Sequence, residues 1–99
     1  MNDAQQVADN QAESRFELWS GGRLAELLYR RNGNRLVLMH TEVPAELEGR
    51  GLGGTLVTAA VEHAARTGMT VVPLCPFARG WLERHPDIVG RAAIDWGKG

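Results

Sequence analysis

The glycine-rich stretch from Gly49 to Gly54 most constrains how this chain folds, because it holds four glycines in six residues. It leads into the one long segment with helical spacing, which we predict as an amphipathic helix from about Gly53 to Arg66. Thr67-Gly68 is a typical stop for that helix, because glycine readily adopts the left-handed conformation in which many helices end. The pattern predicts a glycine loop at the start of a single central helix.

Three short apolar runs precede this loop, and tight-turn residues separate them. Gly21-Gly22 and Asn32-Gly33 suit β-hairpins, because both pairs accept the positive φ angles of type I′ turns. We therefore predict three antiparallel strands, over Arg15–Ser20, Leu24–Arg30 and Arg35–Thr41.

A further strand is predicted after the helix, at Thr70–Leu74, where Pro73 favours an edge or splayed position because proline cannot donate to a ladder. The order strand, helix, strand leaves enough residues for a right-handed crossover, so this strand should lie parallel to its neighbour. Phe77–His85 is predicted as a short helix and Asp87–Asp95 as a second, C-terminal one. The expected fold class is α/β, with a mixed sheet of three antiparallel strands and a fourth, parallel one.

Length and composition indicate one domain, since the chain has 99 residues of which 43% are hydrophobic. Residues 1–14 are polar and predicted to form a flexible N-terminal tail, with residues 15–99 as the domain. A formal net charge of −1 argues against nucleic acid as a partner, and no apolar stretch reaches the length of a membrane span. Cys75 is the only cysteine, so we expect no internal disulfide and a cytoplasmic location. A monomer and a weak homodimer through the exposed first strand both stay open.

The ligand site is expected next to the glycine loop, because ligands of such sheets bind beyond the carboxyl ends of the parallel strands. Those ends are His40–Val43 and Cys75–Phe77. Glycine amides at a helix start attract anions, and the helix dipole adds to the attraction, so a phosphate or pyrophosphate would suit the loop. A tight loop that holds no ligand is the alternative interpretation.

Two common phosphate motifs do not fit. A Walker A loop requires Lys and then Ser or Thr after its last glycine, whereas Gly54 is followed by Thr55-Leu56. The string G-x-G-x-x-G is present, but it does not begin at a strand end, and the position about 20 residues later is Leu74 rather than an acidic residue. Binding of a nicotinamide dinucleotide is therefore only weakly supported.

Glu48–Gly53 resembles the pyrophosphate loop of the Gcn5-related N-acetyltransferases, whose pattern is Gln or Arg, two residues, Gly, one residue, then Gly or Ala. The chain departs from that pattern at its first position, where Glu48 places a carboxylate. Beyond the loop the chain resembles a small single-domain branch of this family, the YjdJ-type acetyltransferase-like proteins. The resemblance is carried by Met39–Pro44, by Leu47–Leu56 with Val61–Ala64, and by Val71–Phe77 continuing to Arg84–Pro86.

The resemblance implies that the parallel strands splay apart and that the pantetheine arm of coenzyme A enters the gap, with backbone hydrogen bonds from Val43. The pyrophosphate would be bound by Arg50, Gly51, Leu52, Gly53 and Gly54. Acetyl-CoA would then be the donor and an amine, either a small molecule or a protein lysine, the acceptor. The helices that wall the acceptor site in longer relatives are missing, so a non-catalytic acyl-CoA-binding or partner-docking module is the alternative.

Two residues are candidates for the chemistry, since acetyl transfer to an amine needs a base and donors to the developing oxyanion. The resemblance assigns the base to His40; the alternative is a histidine that completes a core-facing row with Leu36 and Leu38. Cys75 should lie across the cleft from His40, where it would accept the acetyl group, contact coenzyme A without reacting, or simply be buried. No metal site is expected, because the cysteine and the histidines lack zinc-ligand spacing.

Overall fold

Residues 6–97 are described by the structure, a computed structural model, and they contain a mixed sheet of six strands. The strands are β1 Ala8–Asn10, β2 Arg15–Ser20, β3 Arg23–Asn32, β4 Arg35–Glu42, β5 Thr70–Pro73 and β6 Ala93–Ile94, and they lie in the sheet in chain order. The helices are α1 Leu52–Thr67, α2 Pro76–Glu83 and α3 Pro86–Val89, and a 3-10 turn covers Ala45–Leu47. The predicted α/β class with a mixed sheet is confirmed.

The first four strands pair antiparallel, and for β2, β3 and β4 the turn residues predict this pairing. Gly21 and Gly22 have φ angles of 58° and 78°, the two positive angles that a type I′ turn requires. The turn between β3 and β4 consists of Gly33 and Asn34, one position later than predicted.

The parallel half of the sheet is built by two crossovers. β4 and β5 are parallel and joined through α1, while β5 and β6 are parallel and joined through α2 and α3. Both crossovers proceed in the same direction along the sheet, so right-handed connections put α1 and α2 on the same face. Among residues 6–97, no helix combines the length and apolar content needed to cross a membrane.

The core lies between that face of the sheet and the helices, because side chains alternate along each strand. In β3, Leu27 and Tyr29 are buried, whereas Glu26 and Leu28 point to the other face and are partly exposed. α1 adds its own apolar side to the same cluster. The fully buried large side chains of the two layers include Leu18, Leu27, Leu36, Leu38, Leu52, Leu56, Val57, Val61 and Val71.

Part of the segment predicted to be a tail forms strand β1. Ala8, Asp9 and Asn10 pair with β2, and the Tyr29 hydroxyl donates a hydrogen bond of 2.5 Å to Asp9 Oδ1. One residue that anchors this strand, Tyr29, is thus distant in the chain, and a polar composition alone does not indicate such a contact. Residues 1–5 of the predicted tail lie outside the described residues.

The C-terminal segment differs from the predicted second helix. Over Asp87–Asp95 the helix is limited to the short α3, and Ala93 and Ile94 form β6 at the sheet edge. Arg35 forms an ion pair with Asp95, and the Asp95 amide donates a 2.8 Å hydrogen bond to the Val71 carbonyl. These contacts with the preceding parallel strands favour an extended chain over a longer helix.

Candidate functional site

A cleft of about 590 Å³ opens where β4 and β5 separate. Pairing between these strands ends at Leu38 and Pro73, whereas β4 continues to pair with β3 through Glu42. The Leu38 carbonyl accepts hydrogen bonds from the amides of both Leu74 (3.1 Å) and Cys75 (2.9 Å), and beyond this point the chain turns into α2. The cleft is lined by His40, Thr41, Glu42, Val43, Leu47, Glu48, Gly49, Gly51, Leu52, Gly53, Gly54, Phe77 and Trp81.

A β-bulge at Met39 determines which β4 side chains face the helices. Leu38 pairs with Tyr29 and His40 pairs with Leu28, so Met39 is an extra residue in β4. Beyond the bulge, Thr41 lies opposite the fully buried Leu27 and therefore on the helix side. His40 consequently lies on the opposite face, and its interpretation as the end of a core-facing row is wrong.

His40 stands at the open side of the cleft, where 61% of its side chain is exposed. Its Nε2 atom lies 2.7 Å from Glu42 Oε1, two residues further along the same strand. The pair joins an imidazole to a carboxylate, an arrangement that orients the ring. Glu42 is a functional candidate that the sequence analysis did not single out.

Cys75 is on the helix side, 2% exposed, and is the N-cap residue of α2. Its Sγ atom is 3.3 Å from the Thr41 Oγ1 atom, and Thr41 rather than Cys75 lines the cleft. The prediction that Cys75 faces His40 across the cleft is wrong, because Cys75 does not line the cleft and contacts Thr41, whereas His40 contacts Glu42. The extra residue at Met39 accounts for this difference, because it turns His40 to the open face and Thr41 to the helix side.

The glycine loop reaches the cleft at the start of α1. Gly51 is the N-cap of α1 in the left-handed conformation, with φ 76°, and it has no side chain that could accept a hydrogen bond from the first-turn amides. Such amides lack partners within a helix, and the dipole adds partial positive charge there. Arg50 is exposed and adjoins this end without lining the cleft, whereas the acidic residues Glu42 and Glu48 are among the lining residues.

Gly53 and Gly54 have a packing role in addition to their place in the cleft wall. A Cβ atom on Gly53 would stand 2.6 Å from Phe77 Cζ, and one on Gly54 would overlap the indole of Trp81. These glycines therefore let α2 approach α1 closely. A side chain at Gly53 would therefore displace Phe77.

Aromatic side chains of α2 form the far wall of the cleft. Phe77 is 43% exposed there, and Trp81 is held by stacking on His85 at 3.7 Å between ring centroids. His85 is fixed in turn by a 2.7 Å hydrogen bond between its Nδ1 and the Trp81 carbonyl. The spacing of Phe77 and Trp81, four residues apart and on the same helix face as each other, is the sequence signal that would have indicated this wall.

A second groove of about 650 Å³ runs along the outer side of α1. It shares Gly51, Gly54 and Trp81 with the cleft, so the two spaces adjoin at the start of α1. Thr55, Thr58 and Arg66 line the rest of it together with Val7, Ala59 and Glu62.

Comparison with known proteins decides the family. The family model described as GCN5-related N-acetyl-transferase matches residues 15–91. The chain belongs to this family. A solved structure of a GCN5-like protein from Staphylococcus aureus, determined by NMR in solution, is 28% identical in sequence and superposes with a TM-score of 0.72. That match covers 95% of this chain and 91% of the other, so nearly the whole N-acetyltransferase-like fold is shared. Assignment to the YjdJ-type branch stays a prediction.

Proposed function

We propose that this protein binds acetyl-CoA in the cleft and transfers the acetyl group to an amine. The observation that carries the proposal is the continuity of the cleft from the separated ends of β4 and β5 to the uncapped start of α1. One end offers unpaired strand edge to an amide-bearing chain, and the other offers helix amides to an anion. Coenzyme A has an amide-bearing pantetheine arm followed by a pyrophosphate, which matches the order of these two ends.

The pantetheine arm would lie along β4. Residues 39–42 of this strand extend past the last residue paired with β5, so their backbone groups on that side are available to amides of the arm. Val43 follows directly and lines the cleft. Its backbone is the further partner that we assign to the arm, in the manner of an added strand.

The pyrophosphate would lie against Gly51, Leu52, Gly53 and Gly54. All four residues line the cleft, and the helix dipole favours an anion at this end. Arg50 adjoins them and supplies a positive charge that offsets Glu48. The adjoining groove along α1 is the space that we assign to the nucleoside.

The transfer step requires a base for the acceptor amine. We assign this role to His40: if its Nε2–H donates to Glu42, the Nδ1 lone pair is left to accept a proton. The amine nitrogen then forms a bond to the acetyl carbon as the carbon–sulfur bond breaks. The amine proton passes to His40, and the coenzyme A thiolate leaves and is protonated by solvent. Because His40 is exposed on the open face, an acceptor as large as a protein lysine has access to it.

The test has a binding step and a turnover step. Titration of the ¹⁵N-labelled protein with coenzyme A should shift the amides of Arg50–Gly54 and of β4 beyond Leu38, and much less those of β1 and β2. Acetylation of amines should then be measured for the wild type and His40→Ala, which we expect to lose about 10²–10⁴-fold in turnover while it still binds acetyl-CoA.

The results of this test distinguish an acetyltransferase from a non-catalytic binding module. Shifts confined to other regions would exclude this binding site. Binding without acetylation of small amines or of lysine peptides would instead favour the non-catalytic acyl-CoA-binding module, for which the acidic lining of the cleft by Glu42 and Glu48 is the structural argument.

A further inference from the structure

We propose that the Thr41 hydroxyl is the hydrogen-bond donor that the cleft presents to the thioester carbonyl, and that Cys75 positions this hydroxyl without accepting the acetyl group. The inference rests on the proposed function for the identity of the acyl donor. It concerns two residues that the fold brings together from opposite sides of the gap between β4 and β5.

The position of Thr41 follows from the bulge at Met39. Without the extra residue, His40 would face the helices and Thr41 would face the open side of the sheet. With it, the Thr41 side chain turns into the gap, three residues beyond the last β4 residue that pairs with β5. This is the part of the cleft where the separating strands leave space for an acyl group.

Cys75 lies behind Thr41 as seen from the cleft. Its side chain is buried, it does not line the cleft, and Thr41 Oγ1 lies 3.3 Å from its sulfur. The backbone of Cys75 is fixed by its amide hydrogen bond to the Leu38 carbonyl. A nucleophile in this place would have to attack past the threonine, so the geometry opposes an acetyl-cysteine intermediate.

Either atom of the Thr41–Cys75 pair can donate, and one of the two directions leaves the hydroxyl proton free. A hydroxyl has one proton and two acceptor lone pairs, and a thiol has one weak donor. When the Cys75 thiol donates to Thr41 Oγ1, the hydroxyl proton is free to donate into the cleft. Threonine is also stiff at its first side-chain torsion, which holds the hydroxyl in place. A donor held in this way stabilises the negative charge that develops on the carbonyl oxygen.

Kinetics of matched variants test the assignment. Thr41→Val, which keeps the shape but removes the hydroxyl, should lower kcat by about 10–10²-fold with little change in KM for acetyl-CoA, and Thr41→Ser should restore most of it. Cys75→Ala should lower kcat several-fold, and Cys75→Ser, which keeps a donor, should restore part of that loss. Wild-type kcat in Thr41→Val, or acetyl label that maps to Cys75 with loss of activity in both Cys75 variants, would overturn the proposal.

Two further measurements do not depend on turnover. Amide shifts that differ between coenzyme A and acetyl-CoA should centre on Thr41 and Cys75; differences confined elsewhere would contradict the contact. Iodoacetamide should alkylate Cys75 slowly in the wild type and in Thr41→Val, and at least about tenfold faster in Thr41→Ala, because the smaller side chain uncovers the thiol. Equal alkylation rates in the wild type and the two variants would contradict the shielding of Cys75 by Thr41. This measurement does not require acetyl-CoA, so it tests the contact between the two residues even if acetyl-CoA fails to bind and the proposed function is wrong.

Discussion

Glu48 is the residue at which the chain departs most clearly from the pyrophosphate-loop pattern of its family, and it lines the cleft. A carboxylate near a bound pyrophosphate opposes binding by like-charge repulsion, which is weak at an exposed position and screened by salt. We predict that Glu48→Gln tightens coenzyme A binding by about 2- to 5-fold and that Glu48→Arg tightens it further, measured by calorimetry at low salt.

Glu46 provides the matched control for Glu48. It is an exposed glutamate two residues away that pairs with Arg23 at 2.8 Å and does not line the cleft. Glu46→Gln should leave the affinity for coenzyme A within error of the wild type. Equal effects of the two substitutions would show a general charge effect, and no effect of either would place the pyrophosphate away from Glu48.

Gly53 is predicted to be required for packing as well as for binding. Its substitution by Ala would bring a Cβ atom to 2.6 Å from the Phe77 ring, so we expect a loss of about 1–3 kcal/mol in the free energy of unfolding in urea. Gly80 is the control, since it lies in α2 and a Cβ there meets Arg84 only at 3.6 Å. Gly80→Ala should stabilise by about 0.5–1 kcal/mol, because alanine has the higher helix propensity.

The assignment of the clash to Phe77 can be tested by a double-mutant cycle. In a Phe77→Ala background, Gly53→Ala should cost much less than it does in the wild type, because the atom that it meets is gone. Additive effects of the two substitutions would show that the cost of a Cβ atom at Gly53 arises elsewhere.

At the scale of the elements, β1 pairs with β2 and is also attached to β3 by the hydrogen bond from Tyr29 to Asp9. Burial and the hydrogen bond to Asp9 raise the pKa of Tyr29 to about 12. Tyr29 is the only tyrosine in the chain, so tyrosinate absorbance reports on it alone. We predict a titration midpoint near pH 12 for the folded protein and near the ordinary value of about 10 in denaturant.

The sign of the resulting pH dependence follows from the raised pKa. Below pH 10 the phenol is protonated in both states, and between pH 10 and pH 12 only the unfolded chain loses its proton, so the folded state loses stability over this range. Tyr29→Phe should remove that part of the alkaline destabilisation, and Asp9→Ala should lower the midpoint of Tyr29. A folded-state midpoint near 10 would show that β1 does not hold the phenol as described.

The elements that local chemistry determines were predictable from the sequence. The turn glycines fixed the antiparallel strands, and the helical spacing located α1 to within one residue at either end. β1 and β6 were not predicted, because each strand is short and is anchored by a residue distant in the chain. That residue is Tyr29 for β1 and Arg35 for the residues after β6. Such contacts are set by the assembled fold rather than by neighbouring residues.

The candidate site was predictable in location but not in its side-chain pairs. Strand ends and the glycine loop placed the cleft correctly, whereas the bulge at Met39 exchanged the faces of His40 and Thr41. A prediction of strand faces from sequence assumes that side chains alternate strictly between the two faces of the sheet. Nothing in the local sequence shows where one extra residue interrupts this alternation. The same applies to Gly53, whose neighbour Phe77 lies in another helix.

At the scale of the whole molecule, the helices cover one face of the sheet, and the other face is where His40 and Glu42 are exposed. A donor that enters on the helix side and an acceptor that arrives from the open side would meet through the gap between β4 and β5. The sheet would then separate the two substrates, and the exposure of His40 and Glu42 would leave wide access for the acceptor.

A small domain with its ligand site between sheet and helices should be stabilised as a whole when the ligand binds. A ligand at one hundred times its Kd adds about 2.7 kcal/mol to the free energy of unfolding, and about 1 kcal/mol raises Tm by roughly 4–8 °C in a chain of this size. We therefore predict that saturating coenzyme A raises Tm by about 10 °C or more in a thermal scan. ADP and pantetheine alone should each give smaller increases, because each occupies only part of the proposed site, which spans the cleft and the adjoining groove. Glu48→Gln should increase the shift in Tm at subsaturating coenzyme A. An unchanged Tm across coenzyme A concentrations up to the millimolar range would contradict binding to the folded domain. If ADP alone produced the full increase in Tm, the gap between β4 and β5 would not be part of the binding site.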